Sequence, residues 1–358
     1  MSSIKDVAAY AGVSISTVSN VLNETRYVSP ELTAKVLAAV NELQYEVNPL
    51  AAGMKSKRTG IIGVIAEDMC GVFYPYILRG INTIADERQY RMIVCDVNGR
   101  KNVGNMAEYE KQMFHNLVSS QVDGIIFASC GTALERHFED LTAMVRKQKK
   151  YIPMISMERD LTEYGIDSVY FDNWGNAKKA VQHLVDCGCR KICHITGPMS
   201  LWIGSERYES YKEVLAENSL ELNEERMVAN GNWSYMSGYT AMSELLEKTP
   251  DLDAVFCGND EMAIGAMRLL KERGRRIPQD VKLMGYDDVF LSTIVEPSVS
   301  TIHIKKRTAG ERAAELLFDR IENPDGVREP IGIEMESSLV IRNSTVENAA
   351  RPQDIMDW

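Results

Sequence analysis

The chain has 358 residues, with 40 Lys plus Arg against 51 Asp plus Glu and a formal net charge of −11. That balance argues against a generic polyanion binder, and the length exceeds one compact core, so two or three domains are expected. The polar start carries no apolar export segment and no run approaches a membrane-spanning length, so a cytoplasmic protein without a membrane partner is expected.

Ile4 to Asn23 reads as two short helices joined by a tight turn. Ser3 can cap the first, with Asp6 completing a capping box. Gly12 supplies the turn, and Ser14 can cap a second helix that runs to about Asn23. Val7, Ala8 and Ala11 then face Val18, Val21 and Leu22 at helical spacing. The second helix keeps a polar face of Ser14, Ser16, Thr17, Ser19, Asn20 and Asn23, the small hydroxyls and amides that suit a major groove. The predicted motif is a helix-turn-helix. Ser29-Pro30, a cap followed by proline at the first turn, opens a third helix with Leu32, Val36, Leu37, Val40 and Leu43 as its apolar face, and Asn48-Pro49 opens a very short fourth, Pro49 to Met54. A basic run, Lys55-Ser56-Lys57-Arg58, closes this region.

Beyond it, apolar strands alternate with amphipathic helices. The first series has strands IIGVIAE (61–67), RMIVCDV, DGIIFAS, IPMISME and SVYFDN, with helices over 73–90, 105–120 and 133–148 between them. The second has strands KICHITG, MVANGNW, AVFCGND and VKLMGYDD, with helices over 174–187, 205–218, 235–247 and 261–273. Continuous apolar strands imply parallel sheets covered on both faces, and two series imply two doubly wound lobes. SVSTIHI (298–304), a helix over 307–322 and the extended stretch IGIEMESSLVIRNS (331–344) follow. The fold class is thus an α/β core of two parallel-sheet lobes preceded by an all-α headpiece.

Seven cysteines, an odd number scattered through apparent core segments, fit a reduced protein. Cys187, Cys189 and Cys193 lie near His183 and His194, but Cys-x-Cys-x3-Cys matches no common structural zinc pattern, so buried thiols are the reading and no metal or cofactor is assigned. The chain has no Gly-x-Gly-x-x-Gly after a strand, no Walker A motif, no Gly-x-Ser-x-Gly elbow and no His-Glu-x-x-His, so an enzyme is not expected.

The pieces DVAAYAGVS, STVSNVLN, YVSPE, ELQYEVNPLA and GIIGVI together resemble the lac repressor/galactose repressor family, and the match covers the whole headpiece without gaps. The resemblance implies a headpiece over 1–47, a hinge helix and linker over 48–58, a core over 59–344 and a tail over 345–358. It implies a periplasmic-binding-protein-like core crossed three times, near 170, 300 and 330. The first lobe would comprise about 59–170 plus 303–328, and the second about 171–300 plus 331–344. For DNA it implies that Ile15, Ser16 and Asn20 face base edges while Ser14, Thr17 and Asn23 hold phosphates. Hinge helices carrying Ala51 and Met54 would pair in the minor groove, with Met54 (mostly leucine in relatives) as the wedge.

Lobes of this kind close on a ligand outside the carboxyl ends of their strands. Phe73, Tyr74, Arg207, Trp233, Asn259, Asp260 and Asp287 stand there. Guanidinium, amide and carboxylate groups can clamp hydroxyls, and Trp233 offers a flat face to a sugar ring. Taken alone, Arg207 in an internal ion pair and Trp233 in the core read equally well. The resemblance favours the site: Arg207 matches the family's R-x-x-G-[FWY] arginine with Ser210 replacing the glycine, Asn259 and Asp260 match its GND, and Asp287 its GYD. A second arginine of purine-responsive relatives would fall near Leu201, which favours a carbohydrate. The first 58 residues hold six bases (Lys5, Arg26, Lys35, Lys55, Lys57, Arg58) against five acids (Asp6, Glu24, Glu31, Glu42, Glu46), hence +1, leaving −12 for the remainder. So small a charge neutralises few phosphates, which points to two headpieces on one site and a homodimer. The expectation is a sugar-responsive operator-binding repressor; a transport-type carbohydrate-binding protein is the alternative. The tail lacks leucine heptads, so no tetramer-forming coiled coil is expected.

Overall fold

The computed structural model describes residues 2–23, 26–45, 58–97, 106–128, 135–148, 151–324 and 329–349. The chain divides into two compact bodies, Met1–Gly60 and Ile61–Trp358.

The first body is built on helices α1 (Ile4–Ala11), α2 (Ile15–Asn23) and α3 (Pro30–Glu42). Ser3 and Asp6 form the expected capping box: the Asp6 amide donates to the Ser3 hydroxyl at 3.4 Å, and the Ser3 amide donates to the Asp6 carboxylate at 2.7 Å. Gly12 ends α1 in the left-handed region at φ 65°, the conformation that makes the turn tight and favours glycine. Val7, Ala8, Val18, Val36 and Ala39 form the buried centre. Two expectations need correction. Leu37 is 47% exposed, because α3 faces inward along Val36, Ala39, Val40 and Leu43, and Leu37 lies about 100° round the helix from Val36. Ser29 makes no side-chain cap; the proline alone sets the start of α3. The segment expected to form the short fourth helix, Pro49 to Met54 with Ala51, lies outside the described residues.

In the second body a six-stranded sheet is ordered β11-β5-β4-β3-β1-β2. Its members are β1 (Ile61–Ala66), β2 (Arg91–Asp96), β3 (Gly124–Ala128), β4 (Met154–Glu158), β5 (Asp167–Phe171) and β11 (Gly332–Met335), all paired in parallel. Helices α5 (Met106–Ser119) and α6 (Glu135–Arg146) bury Phe114, Leu117, Phe138 and Leu141 on one face, beside Ile125 and Phe127. Helices α4 (Tyr74–Glu87) and α13 (Lys306–Glu322) bury Ile77, Ile81, Leu317 and Phe318 on the other. These two helices touch backbone to backbone. A Cβ on Gly80 would lie 2.1 Å from the Arg307 carbonyl oxygen, and one on Gly310 the same distance from that of Ile77. Coverage of both faces is why the strands read as unbroken apolar runs.

The second lobe holds a four-stranded parallel sheet ordered β7-β6-β8-β9, from β6 (Ile192–Thr196), β7 (Val228–Asn230), β8 (Ala254–Cys257) and β9 (Lys282–Met284). Helices α10 (Tyr235–Lys248) and α11 (Asp260–Glu272) pack on one face through Met242, Leu245, Met262 and Leu270. Helices α7 (Asn173–Asp186) and α8 (Trp202–Glu217) cover the other through Val181, Leu184, Tyr211 and Val214. Cys189 and Cys193 are buried here, their thiols pushed up to about 12 by desolvation. Two short helices, α9 (Glu224–Met227) and α12 (Phe290–Ile294), were not legible in the sequence.

The third crossing differs from expectation. Gly332–Met335 does not belong to the second lobe; it is the edge strand β11 of the first sheet, paired with β5, and the chain leaves that lobe only at Glu336. The next strand, β12 (Ser337–Val340), pairs antiparallel with β10 (Thr301–Ile304), so these two crossing segments form one ribbon. The tail also begins later than expected: Thr345 is buried, its hydroxyl 2.6 Å from that of Ser300 and 2.8 Å from His183 Nε2.

The ribbon is clamped to the end of β9. Lys306 is fully buried, and its ammonium donates to the carbonyls of Asp287, Asp288 and Ile304 at 2.6, 3.0 and 3.2 Å. Asp288, also fully buried, takes His303 Nδ1 at 2.9 Å and Arg342 Nη1 at 2.7 Å. These contacts hold its carboxyl below the usual carboxylate range despite burial. One carboxylate thus ties together β10, the segment after β12 and the loop after β9.

Candidate functional site

Between the two lobes lies a cavity of about 410 Å³, within the range of about 300–1,000 Å³ common for small-molecule sites. Phe73, Tyr74, Arg207, Trp233, Asn259 and Asp287, all selected from the sequence, line it. Leu201 lines it too, and Arg207 is the only basic residue among the described lining residues.

Arg207 projects from α8 and is 6% exposed. Its guanidinium donates to Asn173 Oδ1 at 3.1 and 3.3 Å, to the Gly258 carbonyl, and at 3.4 Å to Asp287 Oδ1. It also lies 3.5 Å over the Tyr286 ring. Ser210, the departure from the family glycine, is accommodated: it is buried and its hydroxyl donates to the Trp174 carbonyl at 2.9 Å.

Asp287 follows β9 with φ at 103°, a conformation that side chains other than glycine rarely adopt, and Lys306 pins its carbonyl. Burial pushes its carboxyl up to about 6, against the pull of Arg207 and Lys306. Trp233 also has a positive φ, 68°. Its ring lies where a Cβ on Gly197 would fall, 1.9 Å from that position, so the shelf beneath the indole requires glycine there.

Asn259 has a supporting task. Its Oδ1 caps α11 by accepting the Met262 amide at 2.9 Å, and its Nδ2 donates to the Trp233 carbonyl at 2.9 Å. Both ends of the amide therefore hold the Trp233 loop to the helix. Asp260 faces away from the cavity, accepting from Thr301 Oγ1 at 2.7 Å and the Val289 amide at 2.8 Å.

Sequence reasoning missed the acidic residues. Glu67, Asp68, Glu158 and Glu261 line the same cavity. Glu158 closes β4 and is 4% exposed; Tyr74 donates its phenol to Oε1 at 2.5 Å, while Oε2 is buried without a hydrogen-bond partner. Burial pushes the Glu158 carboxyl up to about 7, with the Tyr74 bond and Arg207 pulling the other way. Glu67, half-buried after β1, is pushed up to about 8 by desolvation first and the Glu158 and Asp68 charges next. Glu261 is raised by burial, then by Asp68 and Asp287. Each of the four stands at or just after the end of an apolar strand or in the GND turn, where a carboxylate reads as a solvated terminus.

On α2, Ser14 accepts the Thr17 amide at 3.1 Å, and its hydroxyl lies 2.7 Å from that of Ser16 and 2.9 Å from that of Thr17. Ile15 is 45% exposed, and Asn20 is partly exposed on the same helix. Exposed Tyr10 and Tyr27 were not singled out by the sequence reading.

A headpiece of this build, joined to a two-lobed core with a ligand-sized cleft, defines a ligand-responsive DNA-binding regulator. Comparison agrees in both parts: residues 3–48 match the model of bacterial regulatory proteins, lacI family, and residues 181–345 match the periplasmic binding protein-like domain. The transcriptional repressor PurR of Mannheimia succiniciproducens is 32% identical over 96% of this chain and 98% of its own. The lac repressor dimer bound to operator and the anti-inducer ONPF superposes with a TM-score of 0.83 at 28% identity, over 96% of this chain and 99% of its own. The CelR–cellobiose complex gives 0.67 at 30% identity, over 96% and 100%. The chain belongs to the lacI family of bacterial transcription regulators. No described helix is long and apolar enough to cross a membrane.

Proposed function

We propose that this chain is a homodimeric repressor of a near-palindromic operator, and that a sugar-class effector held in the cleft controls its grip on DNA. The observation that carries this reading is the convergence of Phe73, Tyr74, Arg207, Trp233, Asn259 and Asp287 on one cavity between the lobes. An indole face with flanking hydrogen-bonding groups suits a pyranose ring. Among the described residues no second arginine lines the cavity, which speaks against an anionic or purine ligand, and a relative solved with cellobiose supports the class.

On the DNA side, Ile15, Ser16 and Asn20 read bases, while Ser14, Thr17 and Asn23 hold phosphates. Ala51 and Met54 act in the minor groove at the dyad. Effector binding shifts the balance between open and closed lobes, and the linker transmits this by ordering or releasing the short hinge helices. A change of operator affinity requires only that the effector prefer one lobe arrangement. Either sign, induction or corepression, uses the same parts.

The test is direct. Operator fragments selected from randomised palindromes are titrated with the full chain by fluorescence anisotropy, with and without mono- and disaccharides. A change of about tenfold or more in operator affinity with at least one of them supports the reading. Operator binding indifferent to every sugar, or no selected operator at all, rejects it.

A further inference from the structure

The cleft holds far more acidic groups than hydroxyl recognition needs. Five carboxylates, those of Glu67, Asp68, Glu158, Glu261 and Asp287, face a single guanidinium. That guanidinium is already committed to Asn173, Gly258 and Asp287 and stacked on Tyr286. It has little left with which to balance the cleft. One further feature points inward. Glu158 is 4% exposed, lines the cavity, and keeps Oε2 without a donor, a costly state for a buried carboxylate oxygen. Phe73 and Trp233 also line this space, although their rings already carry Lys306 and Arg207 at 6.0 and 5.6 Å, so the acidic groups carry the argument. Among the described residues, no group of three or more Asp, Glu, His or Cys is placed to hold a metal ion, and an organic ammonium needs no such cluster.

We propose that the effector is a polyhydroxylated amine of the amino-sugar class, with Glu158 and the neighbouring Glu67 holding its ammonium. This rests on the reading of the cleft as the effector site. Asn232 and Ser200 also line the cavity, within reach of ring hydroxyls. The same acidic lining disfavours phosphorylated and carboxylated sugars, whose negative charge would find one guanidinium among five acidic groups. A linked proton signal follows. Without ligand, burial raises Glu158 to about 7 and Glu67 to about 8, so near neutrality Glu67 keeps its proton and Glu158 keeps it about half of the time. Tyr74 and Arg207 pull Glu158 down, and Arg207 does the same for Glu67, while Asp68, Asp287 and the two carboxylates themselves oppose ionisation. An ammonium favours the ionised forms, so its binding expels a proton into the solvent; a neutral sugar has no such charge.

The experiment is calorimetry on the full chain at pH 7, in two buffers of different ionisation enthalpy. The probes are glucosamine, galactosamine and mannosamine, each beside its neutral hexose and its hexose 6-phosphate. At least one amine should bind about tenfold or more tighter than its neutral partner, with release of about one proton, while the phosphates do not bind. Glu158→Gln, with its fold checked by thermal melting, should bring the amine-to-neutral ratio towards one, and Glu67→Gln should lower it. The proposal is overturned if no amine binds, if a neutral hexose matches its amine, or if Glu158→Gln leaves the preference intact. A neutral sugar, cellobiose included, that binds and changes operator affinity without any amine preference removes this inference alone. Operator affinity indifferent to every sugar and amine removes the cleft reading itself.

Discussion

Glu158→Gln should make the ligand-free protein more stable, and by an amount that depends on pH. The wild-type carboxyl is buried with one oxygen unpartnered, and burial raises it from an ordinary 4.5 to about 7. An acid with a raised folded pKa binds more protons folded than unfolded. Its contribution is therefore most favourable below 4.5 and is lost as pH climbs to about 7. Each pH unit across that interval costs about 1.4 kcal/mol, so the ionised group burdens the folded state by about 3 kcal/mol above pH 8. Glutamine keeps the acceptor for the Tyr74 phenol and carries no charge. It also lifts the Glu158 contribution that pushes Glu67 up, a change of the same sign. Urea unfolding of both proteins at pH 4.5 and pH 8 measures the difference. It should be close to zero at the lower pH and about 2–3 kcal/mol in favour of the variant at the higher. A variant less stable than wild type at pH 8, or a gain that is the same at both values, refutes the reasoning.

Three further outcomes can be checked independently. Lys306→Met leaves three buried carbonyls without their donor and should cost about 3–5 kcal/mol in the same unfolding assay; a loss below about 1 kcal/mol contradicts the clamp. Ser210→Gly restores the family residue yet should lower stability by about 2 kcal/mol, one from the lost bond to the Trp174 carbonyl and one from glycine within α8. Equal or higher stability would show that the hydroxyl does not compensate for the departure. Asn20→Arg should move operator preference at one symmetric position per half-site by about 1–3 kcal/mol, from adenine towards guanine. Selection on randomised palindromes returning the same site for both proteins removes Asn20 from base reading.

What the sequence disclosed divides by the range of the interactions. The capping box of Ser3 and Asp6, the turn at Gly12 and the proline opening α3 are local, so they were legible. The buried parallel strands were legible because helices on both faces keep them apolar throughout. Strand β11 was misplaced because it lies at a sheet edge and only Met335 is buried, leaving no apolar run to assign it. In the cleft, residues following strands were found because the rule for parallel sheets is positional. Glu158 was not. A carboxylate ending an apolar strand reads as a solvated terminus until the fold brings Tyr74, 84 residues away, against it. Asn259 was read as a ligand contact, and nothing local reveals that Trp233, 26 residues earlier, takes its amide hydrogen.

The central claim, that the cleft governs operator binding, is tested most directly with Asp287→Ala. Asp287 lines the cavity and meets Arg207 only at 3.4 Å, while Arg207 keeps Asn173 and the Gly258 carbonyl, so the fold does not depend on that contact. Operator titrations of wild type and variant are run without ligand and with the sugar or amino sugar that most changes wild-type affinity. Ligand-free operator affinity should be equal in the two proteins, with the effector's apparent affinity weakened about a hundredfold in the variant. An effector response in Asp287→Ala at the wild-type concentration, in a folded protein, contradicts the claim.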